Sequence, residues 1–168
     1  MTRIAALVAG AIAMIAGAST FSWWRFSSSE GLGLRELHIC AFDSCKAYNY
    51  TNVVGTDNQT FVTLGMVACY GAFAVAALGL IATFTWWQKT AVATDAARTT
   101  AVLALAMLGV AIAFVVKRPD ELNLSQSTFE KAHFYMRATS LGWSAIAYFG
   151  GAALVAIASA LLGRRRAA

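Results

Sequence analysis

Residues 23–48 read WWRFSSSEGLGLRELHICAFDSCKAY and belong to the longest polar interruption in an otherwise apolar chain. They contain two adjacent tryptophans, two of the three cysteines, and a run in which apolar and polar residues alternate. The segments on either side consist mainly of Ala, Val, Ile, Leu, Gly and Phe. The stretch is therefore the expected carrier of a specific role, held in place by apolar elements around it.

The composition predicts an integral membrane protein. Of the 168 residues, 59% are hydrophobic and 12% are charged, which leaves too little polar surface for a water-soluble domain. A helix needs roughly 20 residues to cross a hydrocarbon layer about 30 Å thick. The predicted fold is a single domain over 1–168, an all-α transmembrane four-helix bundle, with helices at about 4–21, 61–87, 99–116 and 139–162 and polar loops at 22–60 and 117–138.

The ends of the apolar segments carry boundary signals. Arg3 followed by an apolar run also fits an export signal, but the small residues are spread throughout the run, and a retained helix is favoured. The pairs Trp23–Trp24 and Trp86–Trp87 follow or end apolar segments, where an aromatic belt at the membrane interface is expected.

The distribution of positive charge predicts which side the loops face. The 13 Lys and Arg residues divide almost evenly between the two sides, but those on the terminal side lie in short flanks of the helices. The positive-inside rule gives such flanks the most weight. We therefore expect both termini in the cytoplasm, both polar loops outside, and a plasma or bacterial inner membrane.

The outward loop at 22–60 is predicted to form a small β-sheet. Apolar residues Leu32, Leu34, Leu37 and Ile39 alternate with polar ones, and AYNYTNVV after Cys45 has the β-branched and aromatic content of a strand. The short spacing of Cys40 and Cys45 suits a tight hairpin braced by a disulfide, which an oxidising compartment permits. A zinc site at His38, Cys40 and Cys45 is the less favoured alternative, because a fourth ligand is lacking.

Several of these residues resemble the claudin and peripheral-myelin-protein superfamily of tetraspan membrane proteins. The similar features are WWRFSS, GLGLREL, the two cysteines followed by Lys46 and Tyr48, and TSLGW with Trp143 at the start of the fourth segment. Arg35 stands where the family's Gly-Leu-Trp motif has its tryptophan, the cysteines are closer together, and the loop is shorter. The resemblance is therefore to the wider superfamily rather than to tight-junction claudins. It implies an outward recognition surface, and an anion preference from Lys46 if a paracellular pore exists.

The sequence predicts neither catalysis nor a cofactor. The two histidines, His38 and His133, fall in or beside loops, so no helix-borne pair is available for haem. Phosphate-binding and nucleophile-elbow motifs do not occur, the basic residues form no patch of the kind that binds nucleic acid, and the apolar segments carry no charge. A membrane enzyme is the least favoured hypothesis, no metal or cofactor is expected, and the partners are membrane lipids, other membrane proteins or copies of the chain.

Small residues at helical spacing predict close helix packing, at Ala9, Ala13 and Gly17 on the first helix and at Ala152, Ala156 and Ala160 on the fourth. The same pattern also fits a face for a partner helix. Two functional hypotheses remain. The first is adhesion, barrier formation or scaffolding through the outward loop, using Trp23, Trp24, Arg25, Leu32, Leu34, Lys46, Tyr48 and the Cys40–Cys45 hairpin. The second is an accessory subunit of a larger membrane complex, docked through its helix faces. Sequons at Asn49, Asn58 and Asn123 fall in the predicted outer loops.

Overall fold

The computed structural model describes residues 2–20, 23–25, 31–41, 44–50, 58–123, 133–135 and 140–164, of which 39–41, 44–45, 121–123 and 133–135 are described by their backbone. The chain forms helices and short strands in the order α1 Thr2–Ser19, β1 Trp24–Arg25, β2 Gly31–Leu32, β3 Glu36–Ala41, β4 Ser44–Asn49, α2 Gln59–Trp87, α3 Ala93–Val116, β5 Glu121–Asn123, β6 His133–Tyr135, β7 Ser140–Leu141 and α4 Trp143–Arg164. All four helices are long and apolar enough to cross a membrane. This is the architecture of a multi-pass membrane protein, and the predicted four-helix bundle is confirmed.

The helices form a closed ring. The α1–α4 pair has the most extensive contact, followed by α2–α3 and α3–α4, whereas α1–α2 has the least of the four neighbouring pairs. α2 has 29 residues, so at 1.5 Å per residue it is about 43 Å long and exceeds a hydrocarbon core of about 30 Å. Its excess length places its first turns beside the polar elements at one end of the bundle.

Two predicted helix boundaries are corrected. α3 begins at Ala93 rather than near residue 99, because most of the predicted polar connector is helical, with Asp95 in the first turn where a negative charge favours the helix dipole. α4 begins at Trp143 rather than near 139, because Ser140 and Leu141 pair with β1 as a strand. The first and second helices agree with the prediction to within two residues.

The sheet stands on the end of the bundle where α1 ends and α4 begins. Its strand order is β4-β3-β2-β1-β7, and every neighbouring pair is antiparallel. The alternating run, which predicts one strand, is divided into β2 and β3 by a turn through residues 33–35. β4 covers the first part of the predicted AYNYTNVV strand. β7 comes from the segment before α4, so the sheet joins both polar loops. A second pair, β5 with β6, lies in the loop between α3 and α4.

The seam between α1 and α4 depends on glycine. A Cβ atom added at Gly10 would lie 2.9 Å from the Gly151 carbonyl oxygen, and one added at Gly151 would lie 2.6 Å from the Gly10 carbonyl oxygen. A Cβ at Gly17 would lie 2.5 Å from the Ser144 carbonyl oxygen. The two backbones are therefore in direct contact, which is how membrane helices associate without a hydrophobic driving force between them.

This seam partly corrects the predicted packing residues. Gly17, Ala152 and Ala156 are buried as predicted, but Ala9 and Ala160 are exposed and Ala13 is only half-buried. On α1 the residues that face α4 are Gly10 and Met14, each one position further along than the predicted alanine. At these two positions the predicted face is displaced by about 100°, because one residue turns a helix by that angle, whereas Gly17 lies on the face that contacts α4.

Candidate functional site

The sheet end of the bundle is fastened to the helices through Trp23. Its backbone N–H donates to the Leu32 carbonyl oxygen at 2.8 Å, and its own carbonyl oxygen accepts from the Gly142 N–H at 2.8 Å. Its indole Nε1–H donates to the Gly17 carbonyl oxygen at 2.7 Å, at the last turn of α1. One fully buried residue thus connects α1, β2 and the start of α4.

An aromatic cluster fills the space beneath the sheet. The Trp23 ring lies edge-on to Phe114 of α3 and Tyr148 of α4, at centroid distances of 5.6 and 5.3 Å. Trp24 lies 4.8 Å from Phe114 and 5.7 Å from Phe61 of α2, and the Phe61 and Phe114 rings stack at 4.4 Å. Three of the four helices, α2, α3 and α4, therefore meet the sheet through aromatic rings, and such ring pairs contribute about 0.5–1.5 kcal/mol each beyond their burial.

The turn between β2 and β3 inserts against α2. The backbone of α2 at Gly65 lies directly against the Leu34 carbonyl oxygen. A Cβ atom at position 65 would collide with this oxygen. The Leu34 side chain is itself buried. Only glycine permits this approach of a loop backbone to a helix.

Tyr50 forms two hydrogen bonds to the same turn. Its hydroxyl donates to the Gly33 carbonyl oxygen at 2.8 Å, and its backbone N–H donates to the Arg35 carbonyl oxygen at 3.0 Å. Burial, with a smaller contribution from the negative charge of Glu36, raises the pKa of the Tyr50 phenol well above its ordinary value. Tyr50 is therefore a neutral hydrogen-bond donor that holds the turn in place.

The exposed side of the turn carries a small charged group. The Arg35 guanidinium donates to a Glu36 carboxylate oxygen at 2.7 Å, and the other Glu36 oxygen lies 3.6 Å from His38 Nε2. The carboxylate raises the pKa of the Arg35 guanidinium. Because these side chains are substantially exposed, the pair contributes little to stability, and it is better regarded as part of a surface.

The remaining predicted loop residues divide into a buried and an exposed set. Trp23, Trp24, Leu32 and Leu34 are fully buried, so they hold the sheet and do not form its surface. The interpretation of Trp23 and Trp24 as anchors at the membrane interface is wrong, because their rings serve as the core between helices and sheet. Trp86 is half-buried and Trp87 is 80% exposed, as expected for residues at an interface. The exposed predicted residues are Arg25 and Lys46, with Tyr48 half-buried.

The backbone places Cys40 and Cys45 directly opposite each other on β3 and β4. Opposed residues of an antiparallel ladder have Cα atoms about 4.5 or 5.5 Å apart and project to the same face, and both separations fall in the range that a disulfide bridges. The third cysteine, Cys69, is a buried free thiol on α2 whose Sγ lies 3.8 Å from the Ala18 carbonyl oxygen. The side chains of Cys40 and Cys45 lie outside the described part of the structure.

Several residues that fix the site have no recognisable signal in the sequence. Gly65, Tyr50 and Tyr148 were not singled out, yet Tyr148 donates its hydroxyl across the bundle to the Ala68 carbonyl oxygen at 2.8 Å. A glycine or tyrosine inside an apolar segment gives no signal of such a contact, because its partner is a backbone atom distant in sequence. Within the described residues, His, Cys, Asp and Glu form no group of three that could hold a metal ion.

Comparisons with known proteins identify no relative of this chain. No family model, no curated protein and no solved structure matches the chain.

Proposed function

We propose that this chain is a non-enzymatic, multi-pass membrane protein that presents its sheet as a contact platform, in adhesion, barrier formation or membrane scaffolding. The observation that carries the proposal is the division of the sheet into two sides. Its lower side is held to three helices by buried rings and to α1 by the Trp23 indole hydrogen bond, whereas charged side chains lie on its outer parts. A surface held in one position loses little entropy when it binds a partner, which favours recognition.

The proposal includes a topology and a family relationship. Both termini would lie in the cytoplasm, which puts the sheet on the outside of a plasma or bacterial inner membrane. The sheet on the helix ends, drawn from both polar loops, supports a distant relationship to the claudin and peripheral-myelin-protein superfamily that the motifs of residues 23–48 resemble. In this compartment Cys40 and Cys45 would be oxidised to a disulfide that braces the β3–β4 hairpin.

The contact surface would use the exposed basic residues of the outer strands. Lys46 on β4, the terminal strand of the five-stranded sheet, and Arg25 on β1 are both exposed. A partner would therefore present acidic or hydrogen-bond-accepting groups, whether it is another copy or a different membrane protein.

Reconstituted vesicles test the proposal. Vesicles that carry the full-length protein are expected to cluster, or to capture the partner that co-purifies in mild detergent, and Lys46→Glu is expected to reduce this contact at least tenfold. Lys117→Glu is the matched control, since Lys117 is also exposed and lies at the same end of the bundle but outside the sheet. Equal loss in both variants, or no loss in Lys46→Glu, would contradict a role for the sheet. A stoichiometric unlike partner that both variants retain would instead favour an accessory subunit docked through its helices.

The cysteine pair is tested separately by alkylation of protein isolated from its native membrane. We expect Cys40 and Cys45 to react only after reduction. The Cys69→Ala variant removes the remaining thiol and makes the result unambiguous. Free thiols at both positions without reduction would contradict the disulfide and the compartment together.

A further inference from the structure

An apolar groove runs along the surface between α1 and α2, where the ring of helices has its least extensive contact. Its larger part, about 670 Å³, is lined by Ile4, Val8 and Ile12 of α1 and by Thr83 and Trp87 of α2. A narrower extension of about 100 Å³ shares Val8 and Ile12 and continues to Ile15 and Leu80. The lining side chains carry no charge, and the Thr83 hydroxyl donates to the Gly79 carbonyl oxygen of its own helix.

The length of this groove corresponds to one leaflet. From Ile4 to Ile15 a helix rises about 16 Å, roughly half of a 30 Å hydrocarbon core. Beyond that depth α1 and α2 close together, where Cys69 contacts the Ala18 carbonyl oxygen. A transmembrane helix from a partner would need a seam across both leaflets, whereas an acyl chain needs only one.

The open end of the groove lies at the positively charged end of the bundle. The charged side chains described at this end are four basic ones and one acidic one, namely Arg3, Lys89, Arg98, Arg164 and Asp95. Trp87, which lines the groove and is 80% exposed, stands two residues before Lys89. An aromatic ring beside a lysine at this depth is a site where a lipid headgroup meets its chains.

Lys89 itself occupies a position that favours glycine. Its φ is 55°, and the N–H groups of Lys89 and Thr90 donate to the carbonyl oxygens of Trp86 and Thr85. These two bonds form the helix-ending motif whose left-handed residue is usually glycine. A lysine here carries a conformational cost, and it places a positive charge two residues beyond Trp87, which lines the groove.

We propose that this groove binds an anionic phospholipid from the leaflet on which both termini lie, with an acyl chain between α1 and α2 and the headgroup beside Lys89. The inference depends only on the helices and their turn. It is therefore independent of the proposed role of the sheet, and the two proposals are tested by different experiments.

The test uses full-length protein in nanodiscs that contain equal amounts of palmitoyl-oleoyl phosphatidylglycerol and phosphatidylcholine, with retained lipid identified by native mass spectrometry. The wild type is expected to retain the anionic lipid with at least fivefold preference, the factor expected from one basic residue near a headgroup. Ala9→Phe places a ring in the groove and should abolish retention. Ala106→Phe on α3, at an equally exposed alanine away from the groove, should leave it unchanged.

A charge variant provides an independent test that does not depend on the packing of α1. Lys89→Gln should reduce the preference about fivefold and Lys89→Arg should restore it, whereas Lys117→Gln at the opposite end should have no effect. Equal retention of both lipids by the wild type, or the same result for the Phe variants of Ala9 and Ala106, would overturn the proposal. A dimer that Ala9→Phe separates would also overturn it, because a second copy would then occupy the groove.

Discussion

Replacement of Gly151 by alanine adds one methyl group where the backbones of α1 and α4 are in direct contact. The new Cβ would lie 2.6 Å from both the Gly10 carbonyl oxygen and the Met14 backbone nitrogen, whereas ordinary van der Waals contact begins at 3.4 Å. The difference, 3.4 − 2.6, is about 0.8 Å. Both obstructing atoms belong to the backbone of α1, so no side-chain rotation relieves the collision and the helices must separate.

The expected loss can be worked from two opposing effects. Alanine is favoured over glycine inside a helix by about 0.8–1 kcal/mol. Overpacking usually costs about 1–3 kcal/mol, and a gap of 0.5–1 Å along a seam loses a quarter to a half of each dispersion contact. Because the obstruction is rigid and packing is what joins these helices, we expect the upper part of that range, and a net destabilisation of about 1–2 kcal/mol.

The neighbouring residue provides the control. A Cβ atom at Gly150 would meet nothing within 4 Å, so Gly150→Ala has the same helix-propensity gain without the collision. Equilibrium unfolding in mixed micelles, followed by far-ultraviolet circular dichroism, should separate the two variants by the overpacking cost, about 2–3 kcal/mol. If Gly151→Ala proved as stable as Gly150→Ala, the close backbone contact between α1 and α4 would be refuted.

Three further substitutions address the sheet, its turn and the groove. Trp23→Phe removes a buried indole donor to the end of α1 and should destabilise the protein by about 1–3 kcal/mol in the same unfolding assay, whereas Trp87→Phe, on an exposed ring, should change stability by less than about 0.5 kcal/mol. Because the pKa of Tyr50 is raised in the folded state, its contribution to stability is complete below the phenol's unfolded pKa, near 10, and is lost as the pH rises towards the folded pKa. Tyr50→Phe should weaken this loss of stability at alkaline pH. An unchanged dependence of the unfolding free energy on pH would contradict the burial of the phenol. Lys89→Gly should raise the free energy of unfolding by about 1 kcal/mol, because glycine adopts the positive φ of this position without strain. Lys117→Gly should not, since φ there is −85°, and thermal melting of the two variants distinguishes them.

The four helices could be predicted from the sequence because each depends only on the number and hydrophobicity of its own residues. A long apolar segment meets a bilayer whatever its neighbours are, so length and composition suffice for all four. The helix boundaries that were predicted wrongly are those at which an interaction with another part of the chain, or the helix's own first turn, decides the structure. Ser140 and Leu141 form a strand because β1 offers a partner. Residues from Ala93 onward extend α3 although they include the charged Asp95 and Arg98.

The sheet could be predicted only in part. The alternation in residues 32–39 indicated a strand in the first polar loop, but it did not show the turn that divides this run into β2 and β3. It could not show that the rings of Trp23 and Trp24 turn inward, because a tryptophan next to a membrane helix is equally common as an interface anchor. The deciding fact is the set of rings that Phe61, Phe114 and Tyr148 supply from three other helices.

The two faces of α1 show why spacing alone misassigned the packing residues. Small residues recur at helical spacing on both faces, with Gly10 and Gly17 seven positions apart on one and Ala5 and Ala9 four positions apart on the other. A glycine lets two backbones touch, whereas an alanine keeps its Cβ between them and leaves a wider seam. The glycine face accordingly forms the tight seam with α4, and the alanine face lines the groove beside α2. Residue size, combined with spacing, therefore predicts that bulky substitutions on the first face will unfold the bundle and that those on the second will change only what it binds.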